Sequence, residues 1–504
     1  MSGCVLLNIN WRNLAEIGRM DKYAPVIPLD LMYVSSALDE KGIVNKIVDL
    51  WGMNKQVSDV RDEIEKAEFI VLNTAPTYIF WRDGTIDANL PKEELKKIRG
   101  INPNARLIVI GPHGTVTPET FEIEGVDYIL RGEPDLAVAE LVEGIIKNGQ
   151  IKIPGVCENK GNTWITGGEY ATVSDLAELP VLHYEKMDKN NYFWPEPPKG
   201  FGIKKTTEYE CSRGCPYKCI FCFREGFRGR LREKPMERIA EELGLIKQQG
   251  YDYVYLIDEC FGANQKWAAK VCAEFRKAGL KWGIQTRPET LNAEILKAYA
   301  DSGCVKIELG LESVDRAIAR TLGKGSVDLL KLRGDIETMI SLNIRPTLFI
   351  IIGSPGENAY SIRALFNYVK QFPLDKLEIN PDIMLPYPKT PLWNMGIAEG
   401  KQLRDWNDVM KYKGTIGNCF KTSEEAHNAV IKFLNAISIE KRKRELAAQI
   451  RGFKKQAPLT FLRLAKSYMA VYFPALDRLI SRAVKDKYTA LVNKERYVDY
   501  ARCG

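Results

Sequence analysis

Twice along this chain, short apolar runs alternate with amphipathic stretches, and that order has few stable solutions other than a parallel sheet covered by helices. The first round spans residues 1–147. It predicts strands at Cys4–Ile9, Asn45–Asp49, Phe69–Asn73, Arg106–Ile110 and Tyr128–Leu130, and helices at Leu29–Lys41, Val57–Lys66, Pro91–Arg99 and Pro134–Lys147. This is the pattern of a doubly wound, flavodoxin-like sheet of five parallel strands. The second round, residues 204–392, has a longer repeat, with strands expected at Lys205–Glu210, Tyr253–Asp258, Lys281–Thr286, Val305–Leu311, Arg345–Ile352 and Lys376–Leu385. Six such units predict an open, partial (β/α)6 barrel. Residues 148–203 read as a connector, with turns at Gly161-Asn162 and Gly167-Gly168 and an extended run at Trp194–Gly200. Residues 393–504 read as a helical extension, with apolar residues at helical spacing over Ser423–Leu446 and Pro458–Leu491. The fold class is therefore α/β with a helical C-terminal part.

A chain of 504 residues has room for two or three full cores, and 45% hydrophobic with 27% charged residues is an ordinary globular balance. The charge of +7, from 72 basic against 65 acidic residues, is too mild to argue for nucleic acid. Met1–Asn10 reads as a first strand rather than a signal segment, and no apolar run approaches the ~20 residues of a membrane helix. Eleven cysteines, odd in number and mostly scattered, do not make a disulfide framework. A reducing, cytoplasmic setting and a monomeric chain are expected.

The sharpest chemical feature follows the first strand of the second round. Glu210-Cys-Ser-Arg-Gly-Cys-Pro-Tyr-Lys-Cys-Ile-Phe-Cys-Phe223 places Cys215, Cys219 and Cys222 at C-x3-C-x2-C spacing. Three thiolates on one short loop suit three irons of a [4Fe–4S] cluster, for which soft sulfur is the ordinary ligand. The fourth iron then has no cysteine from this loop and is open to a ligand, which points to chemistry rather than electron storage. Structural zinc takes four ligands from two separated pairs, and no second pair occurs here. Cys211 does not complete a fourth ligand by spacing and reads as a packed loop thiol. Cys260 carries slightly more weight because it follows a strand end, although free cysteines are usually small buried hydrophobes.

The loop resembles the signature of the radical S-adenosylmethionine (SAM) superfamily, in which the open iron binds the amino and carboxylate groups of SAM. The resemblance runs over residues 204–392, where each strand end carries something polar. It implies a SAM site with Phe221 beside adenine, Asp258 and Glu259 at the amino group, and Arg287 on the carboxylate through its planar fork. Glu312, in Glu308-Leu-Gly-Leu-Glu312-Ser313, resembles the acid of a G-x-E-S motif that contacts ribose or methionine. Gly353 and Pro355, in Ile352-Gly-Ser-Pro-Gly-Glu357, resemble a G-x-P-G-E turn beside adenine. The last strand end, Leu385-Pro-Tyr-Pro-Lys-Thr-Pro-Leu392, is similar to the P-Y-P-G-T-P-L of cobalamin-dependent members, with Lys389 in place of glycine.

Four pieces of the first round resemble the cobalamin-binding domain found ahead of many radical SAM domains. They are Ile27-Pro-Leu-Asp-Leu-Met-Tyr-Val-Ser-Ser-Ala-Leu38, Val48-Asp-Leu50, Ile110-Gly-Pro-His-Gly-Thr115 and Arg131-Gly-Glu-Pro134. They imply a cobalamin site drawing on Asn10, Thr74, Gly111, His113, Gly114, Thr115, Gly132 and Glu133. The D-x-H-x-x-G motif, whose histidine ligates cobalt in many cobalamin proteins, does not occur, as in the radical SAM branch generally. His113 therefore reads as a loop residue bonding backbone or a cobalamin side chain, and His183 as a surface or packing residue. No G-x-G-x-x-G follows the first strand, which argues against a dinucleotide.

The joint resemblance implies a C-methyltransferase with three cofactors: the [4Fe–4S] cluster, SAM and cobalamin. One SAM is cleaved by an electron from the cluster, and a methyl group passes from SAM through methylcobalamin to an unactivated carbon. An external one-electron reductant is required and no nucleic acid is expected. A peptide or protein side chain is the favoured substrate, because the helical tail offers a basic face at Lys441-Arg-Lys-Arg444, Arg451, Lys454 and Lys455, although a charge run is first of all a solvated helix face. Alternatives are a cyclase or rearrangement enzyme acting on a tetrapyrrole or other small molecule, and a cobalamin and iron–sulfur carrier.

Overall fold

The computed structural model describes residues 3–11, 25–75, 87–149, 152–161, 163–192, 197–223, 228–325 and 327–451. The expected helix Pro458–Leu491, the basic Lys454 and Lys455, and the terminal Tyr497–Gly504 lie outside the described residues.

Two sheets organise the chain. The first contains β1 (Cys4–Asn8), β2 (Asn45–Asp49), β3 (Phe69–Asn73), β4 (Arg106–Ile110), β5 (Tyr128–Leu130), β6 (Val156–Asn159) and β7 (Trp164–Thr166), in the order β2-β1-β3-β4-β5-β6-β7. The pairs from β2 to β5 are parallel and in register, Cys4 facing Asn45 on one side and Phe69 on the other. Runs such as Phe69-Ile-Val-Leu-Asn73 are buried throughout because helices cover both faces. The five expected parallel strands are present, and two further strands extend the sheet to seven. β6 and β7 form an antiparallel hairpin that pairs with β5, Leu130 opposite Val156. A three-residue β5 left as an edge would expose unpaired backbone, and the hairpin covers it. The segment read as a connector is thus partly sheet, and its Leu176, Leu179, Leu182 and Tyr184 belong to the core of the second domain.

The second sheet holds six parallel strands in the order β15-β14-β13-β12-β11-β8, the first and last strands at opposite edges. They are β8 (Thr206–Tyr209), β11 (Tyr253–Leu256), β12 (Lys281–Thr286), β13 (Cys304–Glu312), β14 (Arg345–Ile352) and β15 (Glu378–Ile383), while β9 (Ser212–Arg213) and β10 (Arg232–Glu233) make a separate short ribbon. This is the open six-unit architecture expected from the repeat. The helix Leu29–Glu40 joins the two sheets. Its apolar residues occupy nearly its whole circumference because it is buried on both sides. Leu31, Val34, Ala37 and Leu38 pack on the first sheet, while Met32 and Tyr33 pack into the core of the second.

The helix Ser423–Arg451 closes the described part of the chain. Arg444 ties it to the barrel by donating to the carbonyl of Phe372 at 2.6 Å and to that of Lys370. These carbonyls follow the helix Ala359–Val369, where a cation satisfies the last acceptors. One of the four residues in the Lys441–Arg444 run is therefore structural rather than free for docking.

Candidate active site

The cysteine loop leaves the end of β8, and its backbone is fixed from several sides. Gly214 adopts φ +85, and a Cβ there would lie 2.2 Å from the Arg230 carbonyl, so only glycine fits this turn. Its amide donates to Glu259 Oε2 at 2.8 Å. Gly323 meets the loop from the other side: a Cβ there would lie 2.4 Å from the Lys218 carbonyl. Ile220 donates to the Leu322 carbonyl at 3.2 Å and accepts from the Leu392 amide at 3.0 Å. Burial pushes the Cys222 thiol up to about 12, whereas a hydrogen bond with Cys260 draws Cys215 down to about 7.

Cys215, Cys219 and Cys222 all border one cavity of about 390 Å³ at the carboxyl ends of the second sheet. That volume is in the range of small-molecule and cofactor sites. Phe221, Glu259, Arg287 and Glu312 border the same cavity, so four of the expected SAM contacts converge with the three cysteines. Burial raises the carboxyl of Glu259. Glu312 sits at φ +60, uncommon for a side-chain-bearing residue, and its Oε1 pairs with Lys324 Nζ at 2.8 Å. Arg287 donates to Glu289 at 2.9 Å and to the Lys324 carbonyl at 3.0 Å.

Three expected SAM residues lie elsewhere. Asp258 turns toward the start of the cysteine loop, accepting from the Cys211 amide at 2.9 Å and from the Ser212 hydroxyl, and burial pushes its carboxyl up to about 7. Gly353 packs with a would-be Cβ 2.5 Å from Gly414 Cα, and Pro355 lies against Gly417, so this turn supports the cavity wall from behind. Lys324 and Cys260, which carried no assigned role, do border the cavity. The signal for Lys324 in the sequence was a Gly-Lys-Gly turn.

In the first domain the ends of β1, β3 and β4 carry a row of buried polar side chains: Asn8, Asn10, Asn73, Thr74, His113 and Thr115. An ordinary apolar core does not require such a row. Asn73 Nδ2 and Thr74 Oγ1 are buried with no hydrogen-bond partner among the described residues. Gly111, at φ +100, presses on both; a Cβ there would lie 2.4 Å from Asn73 Oδ1 and 2.7 Å from Thr74 Oγ1. Thr115 Oγ1 donates to the Gly111 carbonyl at 2.9 Å and accepts from the Gly132 amide at 3.0 Å, while Gly114 packs on Ile129. His113 is fully buried, its ring edge-on to Trp406 at 4.7 Å. Trp406 in turn donates to Thr117 Oγ1 at 2.6 Å and approaches Tyr387, which borders the cavity of the second domain. Asn10 donates to the Lys55 carbonyl at 3.0 Å. His183 is exposed and pairs with Glu185.

Glu133 is placed differently from its expected role. Its carboxylate pairs with Arg232 at 2.5 Å and Arg213 at 3.5 Å and accepts from the Val173 amide at 2.8 Å. Against the opposing effect of burial, the two guanidinium groups hold it below the ordinary carboxylate range. It belongs to a buried ion network between the domains. Arg213 grips Asp135 with both terminal nitrogens at 2.7 and 2.8 Å, and Arg228 reaches Glu210, Asp30 at 3.4 Å and Glu259 at 3.6 Å. These arginines flank the cysteine loop in sequence, but no pattern in one chain marks their partners.

The model of the "Radical SAM superfamily" matches residues 209–369, which begin at the end of β8 and include the cysteine loop and four further strands of the second sheet. Residues 209–369 thus form a radical SAM domain. An uncharacterized methyltransferase of Pyrococcus horikoshii is 28% identical over 405 residues, covering 77% of this chain and 83% of that protein. The hopanoid C-3 methylase of Methylococcus capsulatus is 27% identical over 285 residues, 55% of this chain and 51% of that one. Among solved structures, the radical SAM methyltransferase TsrM from Kitasatospora setae, determined with cobalamin and a [4Fe–4S] cluster bound, superposes with a TM-score of 0.61 at 17% identity, covering 79% of this chain and 75% of that one. At that identity the shared property is the fold.

The radical SAM domain uses a [4Fe–4S] cluster and SAM. The residues fit. Among the described residues no three His, Cys, Asp or Glu side chains converge on a single ion, whereas three thiols around one cavity are the donor set a cubane takes. The orphaned polar atoms of Asn73 and Thr74 fit a large polar ligand at the first sheet's carboxyl ends in the same way. No described helix is long and apolar enough to cross a membrane.

Proposed function

We propose that this radical SAM protein is a cobalamin-dependent methyltransferase that places a methyl group on carbon. One observation carries the cobalamin part: the polar row at the first sheet's carboxyl ends, with Asn73 Nδ2 and Thr74 Oγ1 lacking partners among the described residues, is linked through His113 and Trp406 to Tyr387 of the cysteine-lined cavity. His113, packed edge-on against Trp406, orders that interface instead of ligating cobalt. Gly111 and Gly114, with Thr115 and Gly132, would hold the ligand from the backbone side, and Asn10 and Thr74 would offer polar contacts.

When bound, cobalamin supplies a methyl carrier and the cluster with SAM supplies a radical initiator. The chain's own residues bind, orient and exclude water. Cys215, Cys219 and Cys222 hold three irons. Phe221 supplies an apolar face for adenine, and Glu259 and Glu312 are acceptors for the amino and hydroxyl groups of SAM. Asp258, Gly353 and Pro355 serve the site by fixing its walls. Phe349, Ile351, Met384 and Leu385 form an apolar wall that suits a hydrocarbon portion of the substrate. The names of the curated relatives, a methyltransferase and a hopanoid methylase, support methyl transfer as the outcome.

The test uses anaerobically reconstituted protein with cobalamin and methyl-labelled SAM. The label should move to cobalamin with release of S-adenosylhomocysteine, and reduction should yield 5′-deoxyadenosine. Protein that retains the cluster and cleaves SAM but never labels cobalamin is not a cobalamin-dependent methyltransferase, and a cyclase or rearrangement enzyme would take its place.

A further inference from the structure

Arg287 follows the strand β12 directly and is only 6% exposed, yet its hydrogen bonds do not point into open space for a substrate. Nε and Nη2 donate to the Glu289 carboxylate at 3.4 and 2.9 Å, and Nη2 also donates to the Lys324 carbonyl at 3.0 Å. Nη1 donates to Cys219 Sγ at 3.4 Å. The guanidinium plane lies over the ring of Tyr217, 3.9 Å from its centroid, and Tyr217 stands two residues before that cysteine. A guanidinium has five N–H groups. Four contacts are placed, so one N–H on Nη1 remains, too few for the two-pronged grip by which arginine takes a carboxylate.

A second donor reaches the loop from the neighbouring strand. Cys260, at the end of β11, hydrogen-bonds Cys215, and its Sγ lies 3.9 Å from the hydroxyl of Thr286, the residue before Arg287. Two of the three cysteines thus receive hydrogen bonds from consecutive strand ends. Hydrogen bonds to ligand sulfur are among the levers that set the potential of an iron–sulfur cluster.

We propose that Arg287 is a positioning residue of the cluster, donating to the Cys219 thiolate and, with Cys260, raising the cluster's reduction potential, rather than the clamp for the SAM carboxylate. The inference rests on the cluster and on neither cobalamin nor methyl transfer. Reduction adds one electron and one negative charge to the cluster without forming or breaking a bond to the protein. A cation and an S–H donor against the thiolates favour the more negative state, so they ease electron entry from the external reductant. The guanidinium also pins the cysteine loop to Glu289 and Lys324, which fixes where the open iron faces.

The experiment is a redox titration of SAM-free, anaerobically reconstituted protein against titanium(III) citrate, followed by paramagnetic resonance, with iron content measured first. Arg287→Gln should retain its irons and shift the midpoint lower by about 59 mV, a tenfold change for one electron. Arg287→Lys, which keeps the charge but not the fork, should fall between, and Cys260→Ala should shift the same way by less. Separately measured SAM affinity should change by less than about tenfold in Arg287→Gln, below the loss expected when a charge-assisted contact is removed. Unchanged potentials in all three variants would overturn the proposal, as would an unchanged potential with SAM affinity lost in Arg287→Gln. If Arg287→Gln fails to hold iron, Arg287→Lys and Cys260→Ala decide by the same criterion. Wild-type protein that binds no cluster would instead overturn the cluster reading itself.

Discussion

Replacing Arg213 by methionine should cost about 3–5 kcal/mol of stability, the usual loss when one partner of a buried ion pair is removed. Arg213 is fully buried, and its two terminal nitrogens hold Asp135 of the first domain at 2.7 and 2.8 Å. The other acids of the network keep a partner in the variant: Glu133 retains Arg232 and Glu210 retains Arg228. Asp135 is the group left with a buried, uncompensated charge. The loss is thus that of one broken pair rather than of the whole network, and it is a large share of the ~5–15 kcal/mol that holds a typical protein folded. Removing both partners, as in Arg213→Met with Asp135→Leu, should restore most of it, because a hydrophobic pair of similar volume is often no less stable than a buried ion pair. Anaerobic urea unfolding of the wild type, both single variants and the double variant closes the cycle. A single-variant loss below about 1 kcal/mol, or a double variant no more stable than Arg213→Met, would refute the assignment of Arg213 as the interdomain clamp.

Replacing Cys215, Cys219 and Cys222 together by alanine should abolish the cluster absorbance and nearly all bound iron; four irons per chain surviving would show that the ligands are elsewhere. Asp258, held up at about 7 by burial, keeps a proton in the folded chain that the unfolded chain releases near pH 4. Its contribution is therefore fully present below pH 4 and is lost as pH rises to about 7, at up to ~1.4 kcal/mol per pH unit. Asp258→Asn should remove that slope from the pH 5–7 part of a urea-unfolding series, and an unchanged slope would sink the assignment; Glu357, also raised to about 7, contributes in the same direction in both proteins. Lys389 sits at φ +64, where glycine is unstrained, and gains only an exposed contact of 3.7 Å with Glu119. Lys389→Gly should therefore stabilise by ~0.5–1 kcal/mol in the same assay, and a loss would mean that the Glu119 contact outweighs the strain.

What the sequence reveals and what it hides divide along physical lines. Parallel strands buried on both faces carry their own signature, so runs such as Phe69–Asn73 and Arg345–Ile352 are legible without a structure. Three cysteines on one loop are legible because their chemistry depends on spacing within a few residues. The β6–β7 hairpin is not, since Val156-Cys-Glu-Asn159 is short and mixed, and only the bare edge of β5 explains why it pairs. Side-chain direction is hidden as well. Asp258 and Glu259 are adjacent in the turn after β11, which sends one into the loop backbone and the other to the cavity. Glu133 reads as part of a ligand-binding turn, yet its partners Arg213 and Arg232 come from about eighty and one hundred residues later.

The position of Arg213 bears on how the two domains work as one site. It precedes the first cluster cysteine by two residues, so the loop that presents the open iron is the same loop that grips the first domain through Asp135. Arg228, on the far side of the loop, repeats the arrangement with Asp30 of the first domain and Glu259 of the cavity. An apolar interface of equal area would hold the domains together but would tolerate sliding, because apolar contact is non-directional. Bidentate ion pairs fix register as well as distance. The carboxyl ends of the two sheets are therefore held at a set separation by residues covalently next to the cysteines. The methyl transfer proposed above, from a cofactor in one domain to a carbon at the other, would need that constancy, since a misplacement of 1 Å costs about a hundredfold in rate.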